Sequence, residues 1–396
     1  MNIGTERPEQ PLRILVLIHR MADNSPYCFF VHEQARALRA LGHEVTVIAP
    51  VAALPGYRLL RPEAWAALRN TPSEAVHDGV PVYYPRAPAL GDAGARLLGG
   101  WPMYRAALPI ARALHQRRPF DLVHAHMLPV EGHAGLLLGR ALDLPTALTV
   151  HGTDVLRYFR EGERPRRRNR AVAEDADLLM AVSGVLAARV APYRSRAVEV
   201  VHNGVDLSRV PVGGARAPRA LLSVGTLKAR KCMHTTLDAF SALAAEFPDA
   251  TLTLVGDGPE RASLEAKIGA RALQSRVTLT GSLPHQEVLH RMAASGAFVM
   301  PSYAEGFGVV YIEAMAAGCV AVGSAGEGIA DLIRDGENGY LVPAADAGAL
   351  IPVLRELLAG GPEVEAARAR GMNDARALTW ERNAARCTAL YRRIVR

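Results

Sequence analysis

Short apolar runs alternate with helical patterns twice over along this chain, and that alternation leaves few folds open. The first series contains "RILVLIH", "EVTVIAP", "VPVYYP", "DLVHAH", "PTALTVHG" and "DLLMAV", with helical patterns over Phe29 to Leu41 and Met103 to Arg118, and closes at "VEVVHNGVD". The second contains "ALLSVG", "ATLTLVG", "RVTLTG", "AFVM" and "CVAVGS". Runs this apolar, separated by helices, belong to parallel sheets covered on both faces. Between the series, the Pro- and Gly-rich "VPVGGARAPR" reads as a linker. The expectation is two doubly wound α/β domains, with a ligand crevice between them where Gly-rich turns gather at the strand ends. A chain of 396 residues is long enough to give each domain its own core.

The stretch "AFVMPSYAEGFGVVYIEAMAAG", Ala297 to Gly318, concentrates the chemistry. A buried strand over Ala297 to Met300 runs into a loop containing Pro and Gly, and a short helix from Gly308 closes at Gly318. Val309, Ile312, Glu313 and Ala316 share one helix face, so Glu313 stands among apolar neighbours and needs a partner. Glu305 lies in the loop before the helix, and Glu313 is only about 7 Å along the axis from the helix start. Both carboxylates can therefore address one ligand. The N–H groups of Gly306, Phe307, Gly308 and Val309, at the positive end of a helix dipole, suit a phosphate. The same pattern is met if Glu305 caps the helix and Glu313 pairs with an arginine in a structural ion pair.

Charge is uneven. Residues 1–205 carry 25 arginines against 19 acidic residues, a net of +6, whereas the remainder carries 21 basic and 20 acidic residues, a net of +1. The densest cluster, "RPRRRNR" from Arg164 to Arg170, suits anionic lipid head groups or an acidic acceptor, and is equally a solvated helix face. It lacks interleaved aromatics and a known motif, so no nucleic-acid partner is expected. The polar opening "MNIGTERPEQPLR" has no apolar core of a signal peptide, and no apolar segment reaches the ~20 residues that span a bilayer. Cys28, Cys232, Cys319 and Cys387 form no paired ligand motif and read as reduced thiols. A cytoplasmic protein, peripheral at the inner face of the membrane, is the expectation.

Other motifs are weaker alone. Lys231 in "KARK" sits where a helix would begin, placed to meet a phosphate or simply exposed. "LVGDGPE" has two glycines of a dinucleotide fingerprint, but Arg261 occupies the third position. "HAH" puts His124 and His126 on one side of a strand end, as a polar cleft lining or a metal pair. Asp175 and Asp177 precede a strand instead of following one, which suits helix-end solvation. His151, beside Gly152 and near Asp154, lies at the carboxyl end of a strand on the first domain's side of the crevice.

Taken in order, "ALGHEVTVIAP", "VHAH", "TVHGTD", "VHNGVD", "VGTLKARK", "LVGDGPE" and "EGFGVVYIE" closely resemble the large retaining glycosyltransferase family numbered four, the glycosyl transferases of group 1, over almost the whole chain. The resemblance implies the GT-B fold, two Rossmann-like doubly wound domains facing across a cleft. Residues 1–205 would form the acceptor-side domain, 206–219 a linker, 220–378 the nucleotide-sugar domain, and 379–396 a helix crossing back onto the first domain. It implies a retaining transfer from a nucleoside diphosphate sugar, acting as co-substrate, to a hydroxyl of a glycan or lipid-linked acceptor, without a metal or other cofactor. By the same resemblance Glu305 would contact the donor sugar, Glu313 the ribose, Gly306 to Val309 the sugar and diphosphate, Lys231 and Arg230 the diphosphate, and the backbone at Leu283 the base. His151 would act from the first domain on the sugar and its transition state, and Asn24, His126 and Asp154 are the acceptor-side candidates. Thr226 and Cys232 stand where many relatives have arginine and glycine, and the first loop lacks their paired glycines. A nucleotide-sugar epimerase or phosphorylase of this architecture, or a catalytically silent nucleotide binder, stays open here.

Overall fold

The computed structural model describes residues 10–19, 28–52, 70–88, 91–156, 162–211, 213 and 215–395. The chain divides into two compact units. One contains the described residues up to Val182 with Leu186–Val201 and the chain from Trp380 onward; the other contains Ser183–Val185 and His202–Thr379.

The first unit is built on an eight-stranded sheet in the spatial order Glu199–Val200, Leu178–Ala181, Thr146–Val150, Leu122–His126, Arg13–Leu17, Glu44–Ile48, Val80–Tyr83 and Glu74–His77. The first seven are parallel and buried at their centre, as their apolar runs require. The last is antiparallel. Asp78 and Gly79 make its return with φ of 47° and 79°, the left-handed pair of a two-residue hairpin turn. The sequence does not announce this edge strand, because "EAVH" is short and offers no apolar alternation.

The C-terminal helix Trp380–Tyr391 packs against Phe29–Ala40. Trp380, Ala384, Cys387, Leu390 and Tyr391 join the core of this unit. Buried hydrogen bonds tie the C-terminal helix to the rest of this unit: Gln34 Nε2 donates to Asn383 Oδ1 at 2.7 Å, His43 Nε2 meets Thr388 Oγ1 at 2.9 Å, and the Tyr391 hydroxyl meets His124 Nδ1 at 2.8 Å.

The second unit has six parallel strands in the order Val277–Gly281, Thr251–Val255, Ala217–Val224, Ser295–Val299, Val320–Ser324 and Tyr340–Val342. Counted along the chain within the unit, this order is 3-2-1-4-5-6, which reverses direction between Ala217–Val224 and Ser295–Val299. Ligands of open parallel sheets bind at the carboxyl ends beside such a reversal. The strand begins at Ala217, inside the stretch the sequence assigns to the linker, because Ala217 pairs with Ser295 and Arg216 donates to the carbonyl of Ala317 at 3.1 Å. No described helix is long and apolar enough to cross a membrane.

Candidate active site

The loops after Ala217–Val224 and Ser295–Val299 converge at the reversal point of the second unit. The first runs through the turn Ala229–Lys231 to Cys232, whose φ of 54° caps the helix Met233–Leu243. Lys231 thus precedes that helix instead of opening it. It is 8% exposed, which removes the reading of a free surface lysine. Its Nζ lies 2.5 Å from Glu305 Oε2, and Arg230 Nη1 lies 3.3 Å from the same oxygen. Two cations and one carboxylate therefore share a partly buried pocket, where each needs the others.

The second loop enters the helix Val309–Ala316 through Gly308, with φ of 82°. A Cβ there would stand 2.6 Å from the Tyr311 ring. The Tyr311 hydroxyl donates to the carbonyl of Met300 and lies 3.1 Å from Ser302 Oγ, tying helix to strand end. At the far end Gly318 N donates to Met315 O at 2.9 Å and Cys319 N to Ala314 O at 2.8 Å, the paired bonds of a left-handed glycine cap. Glu305 N donates to Glu327 Oε2 at 2.8 Å. Gly328 backs the loop so closely that a Cβ would stand 1.9 Å from Gly306 O. No acceptor among the described residues engages the N–H groups of Gly306, Phe307 or Gly308. With the first N–H groups of the helix, which have no intrahelical partner, they leave a row of donors.

Glu313 is buried at 8% exposure and its Oε1 lies 2.8 Å from His285 Nε2. Its partner is thus a histidine and not an arginine, and Glu305 faces two cations and does not cap the helix. His285 opens the helix His285–Ala294 two residues after the half-buried Leu283, so one turn carries both. The second unit accordingly gathers Arg230, Lys231, Glu305, Gly306, Phe307, Gly308 and Val309 around its reversal point. His285, Glu327 and Tyr311 escape a reading of the sequence, although His285 stands in "TGSLPH" and Glu327 in "GEGIADLIRDGENGYLV".

In the first unit the strand ends carry a histidine cluster. His126 Nδ1 lies 3.1 Å from His151 Nε2, and Phe30 packs on the His151 ring at a centroid distance of 4.3 Å. His124 gives one ring nitrogen to Thr149 Oγ1 at 2.8 Å and the other to Tyr391, so the "HAH" histidines do not form a metal pair. Burial holds His124 and His151 down at about 3 and His126 well below the ordinary imidazole range, so all three are neutral. Met127, next along the chain, has φ of 71°, a strained value for an unbranched bulky residue. Asp154 is buried, and its carboxylate accepts from the N–H groups of Leu128, His151 and Gly152 at 3.2, 3.1 and 2.7 Å. Burial nevertheless raises it to about 6. Its oxygens fix the backbone of His151 and are turned away from solvent. His19 Nδ1 pairs with Glu131, which raises the His19 pKa. Asn24 lies outside the described residues.

Known proteins match both halves of the chain. A family profile described as Glycosyl transferases group 1 matches residues 210–374, and one described as Glycosyltransferase Family 4 matches residues 29–209. A glycogen synthase of Mycobacterium tuberculosis is 28% identical over 347 residues, covering 83% of this chain and 81% of that protein. Among solved structures, a sucrose-phosphate synthase from Thermosynechococcus elongatus superposes with a TM-score of 0.77 at 22% identity, covering 96% of this chain and 98% of the other. Anabaena HepE in complex with UDP and glucose superposes with a TM-score of 0.72 at 18% identity, covering 96% and 99%.

Proposed function

The chain belongs to the group 1 glycosyltransferases and is a hexosyltransferase-type enzyme of GT-B fold, and on that premise we propose that it moves a sugar from a nucleoside diphosphate to a hydroxyl of a glycan or lipid-linked acceptor, with retention at the anomeric carbon. The observation that carries the assignment is the Lys231–Glu305 pair beside the unengaged N–H row from Gly306 to Gly308. A departing diphosphate gathers negative charge as the glycosidic bond breaks. Donors already fixed in place stabilise that charge without reorganising, and such preorganised stabilisation usually lowers an enzymatic barrier more than any other effect. Here the donors are Lys231, Arg230 and the amides at the start of Val309–Ala316. They supply the neutralisation that a divalent cation supplies elsewhere, which supports a metal-independent transfer.

In this reading the diphosphate takes Lys231 from Glu305, and the freed Glu305 carboxylate accepts hydroxyls of the sugar. Glu313 accepts from the ribose, and the backbone at Leu283 meets the base. On the first unit, His151, neutral and held at Nε2 by His126 Nδ1, is the residue this reading assigns to the sugar and its transition state. Asp154 acts as a positioning residue for His151 and not as an acceptor ligand.

A thermal-shift screen against UDP-, GDP- and ADP-sugars tests the reading, because a ligand held only by the native state raises its melting temperature. One nucleotide series should raise the Tm, with UDP tried first because HepE was solved with it. No shift with any of them would oppose the assignment.

A further inference from the structure

The helix Glu163–Asp175 buries Pro165, Asn169, Val172 and Ala173. At 3.6 residues per turn these form one stripe, so Arg164 and Arg167 fall on the outer face and Arg168 on its flank. Both Arg164 and Arg167 are exposed, and no hydrogen bond or ion pair engages either among the described residues. Arg168 Nη1 donates to the carbonyls of Arg96 and Leu97 at 3.1 and 3.4 Å, fastening the end of the helix Gly91–Leu98 to this one.

The turn that follows admits only glycine. A Cβ on Gly99 would stand 2.6 Å from both Arg168 Nε and His133 Nδ1, and one on Gly100 would stand 2.0 Å from Val130 O. Gly100 N also donates to His133 Nδ1 at 3.0 Å. With the turn clamped from beneath, the side chains on either side of it point outward: Leu97 is 54% exposed and Trp101 51%. The Arg105 guanidinium lies 5.6 Å from the Trp101 ring centre. An exposed leucine and tryptophan, held on a rigid turn and bordered by arginines, is an arrangement that hydration alone does not favour.

We propose that this patch seats the first unit on an anionic membrane surface, with Trp101 and Leu97 entering the boundary between head groups and acyl chains and Arg105, Arg164 and Arg167 pairing with lipid phosphates. Tryptophan favours that depth because its ring is apolar and its N–H polar. The net charge of +6 over residues 1–205 selects anionic over zwitterionic lipid. An acidic protein surface would satisfy the arginines but give Trp101 no apolar layer, so the bilayer accounts for both halves of the patch. Lipid binding is read without turnover, so this inference and the transfer reading fail separately.

The test is co-sedimentation of the full chain with phosphatidylcholine vesicles, with and without phosphatidylglycerol, together with quenching of tryptophan fluorescence by brominated acyl chains. Binding should require phosphatidylglycerol, fall about fivefold for each of Arg164→Gln and Arg167→Gln, and fall further for Leu97→Ser. Quenching should disappear in Trp101→Phe. Equal binding to both vesicle types, arginine variants that bind like wild type, or quenching that survives Trp101→Phe would overturn the proposal. So would retention on an immobilised polyanion without any vesicle binding, which would point to an acidic macromolecule.

Discussion

His285 Nε2 stands 2.8 Å from Glu313 Oε1, and the two residues belong to different helices of the second unit. The buried Glu313 carboxylate, among apolar neighbours, is held in one orientation by this contact. His285→Ala should therefore weaken nucleotide binding about three- to tenfold, the net worth of one ordinary hydrogen bond, and His285→Gln, which keeps a side-chain N–H, should restore part of it. Calorimetric titration of the three proteins decides the matter, and equal affinities would show that Glu313 is positioned without His285.

One carboxylate oxygen of Glu305 engages both Lys231 and Arg230. Removing its carboxylate in Glu305→Ala releases both cations, so the nucleoside diphosphate should bind as well as to wild type or slightly better. Transfer should fall by about two orders of magnitude if the carboxylate contacts are stronger in the transition state than in the ground state. Steady-state kinetics with a matched titration would show a loss in kcat at unchanged Kd. A parallel loss of nucleotide affinity would contradict the assignment of Glu305 to the sugar.

Cys232 holds a left-handed backbone at the start of Met233–Leu243, with φ of 54° and ψ of 36°. Cys232→Ala and Cys232→Gly both remove the buried thiol, but only glycine adopts this conformation without steric cost. Cys232→Gly should be more stable than Cys232→Ala by about 1 kcal/mol, measured as a difference in urea midpoints at equal slope. Equal midpoints would mean that the helix cap relaxes.

Much of this architecture is legible in the residues. The parallel strands announce themselves as apolar runs, the first three of the second series ending in glycine, and Gly308 and Gly318 mark the two ends of the helix that carries Glu313. What escapes is set by distance along the chain. Glu313 declares that it needs a partner, but nothing local names His285, which lies 28 residues away, or ties Glu327 to the Glu305 amide 22 residues before it. Strand Tyr340–Val342 is only three residues long and carries no periodicity to read. Asp154 illustrates the opposite limit: proximity to His151 suggests a ligand contact, whereas the carboxylate turns inward to satisfy three N–H groups that would otherwise be buried unpaired.

Acid should destabilise the first unit. His124, His126 and His151 are held neutral by burial, so each takes a proton in the unfolded chain before it does in the native one, and stability is lost as pH falls below ~6.5. Asp154, raised to about 6 from 3.8, acts in the other direction, since it keeps its proton in the native state after the unfolded chain has lost it. Its contribution is lost as pH rises through that window. Near pH 5 the three imidazoles outweigh the one carboxyl, so unfolding takes up protons on balance and acid favours it. Urea titrations at pH 5 and pH 6 should show the midpoint falling with acid. A flat profile would mean that the imidazoles gain access to water.

The central claim is that the reversal point of the second unit holds a nucleoside diphosphate sugar, and calorimetric titration of the nucleoside diphosphate selected by the thermal screen tests it most directly. Glu313→Ala and Lys231→Ala should each weaken binding about tenfold or more, with Lys231→Ala leaving affinity for the bare nucleoside unchanged. Affinities within twofold of wild type in both variants would place the nucleotide elsewhere.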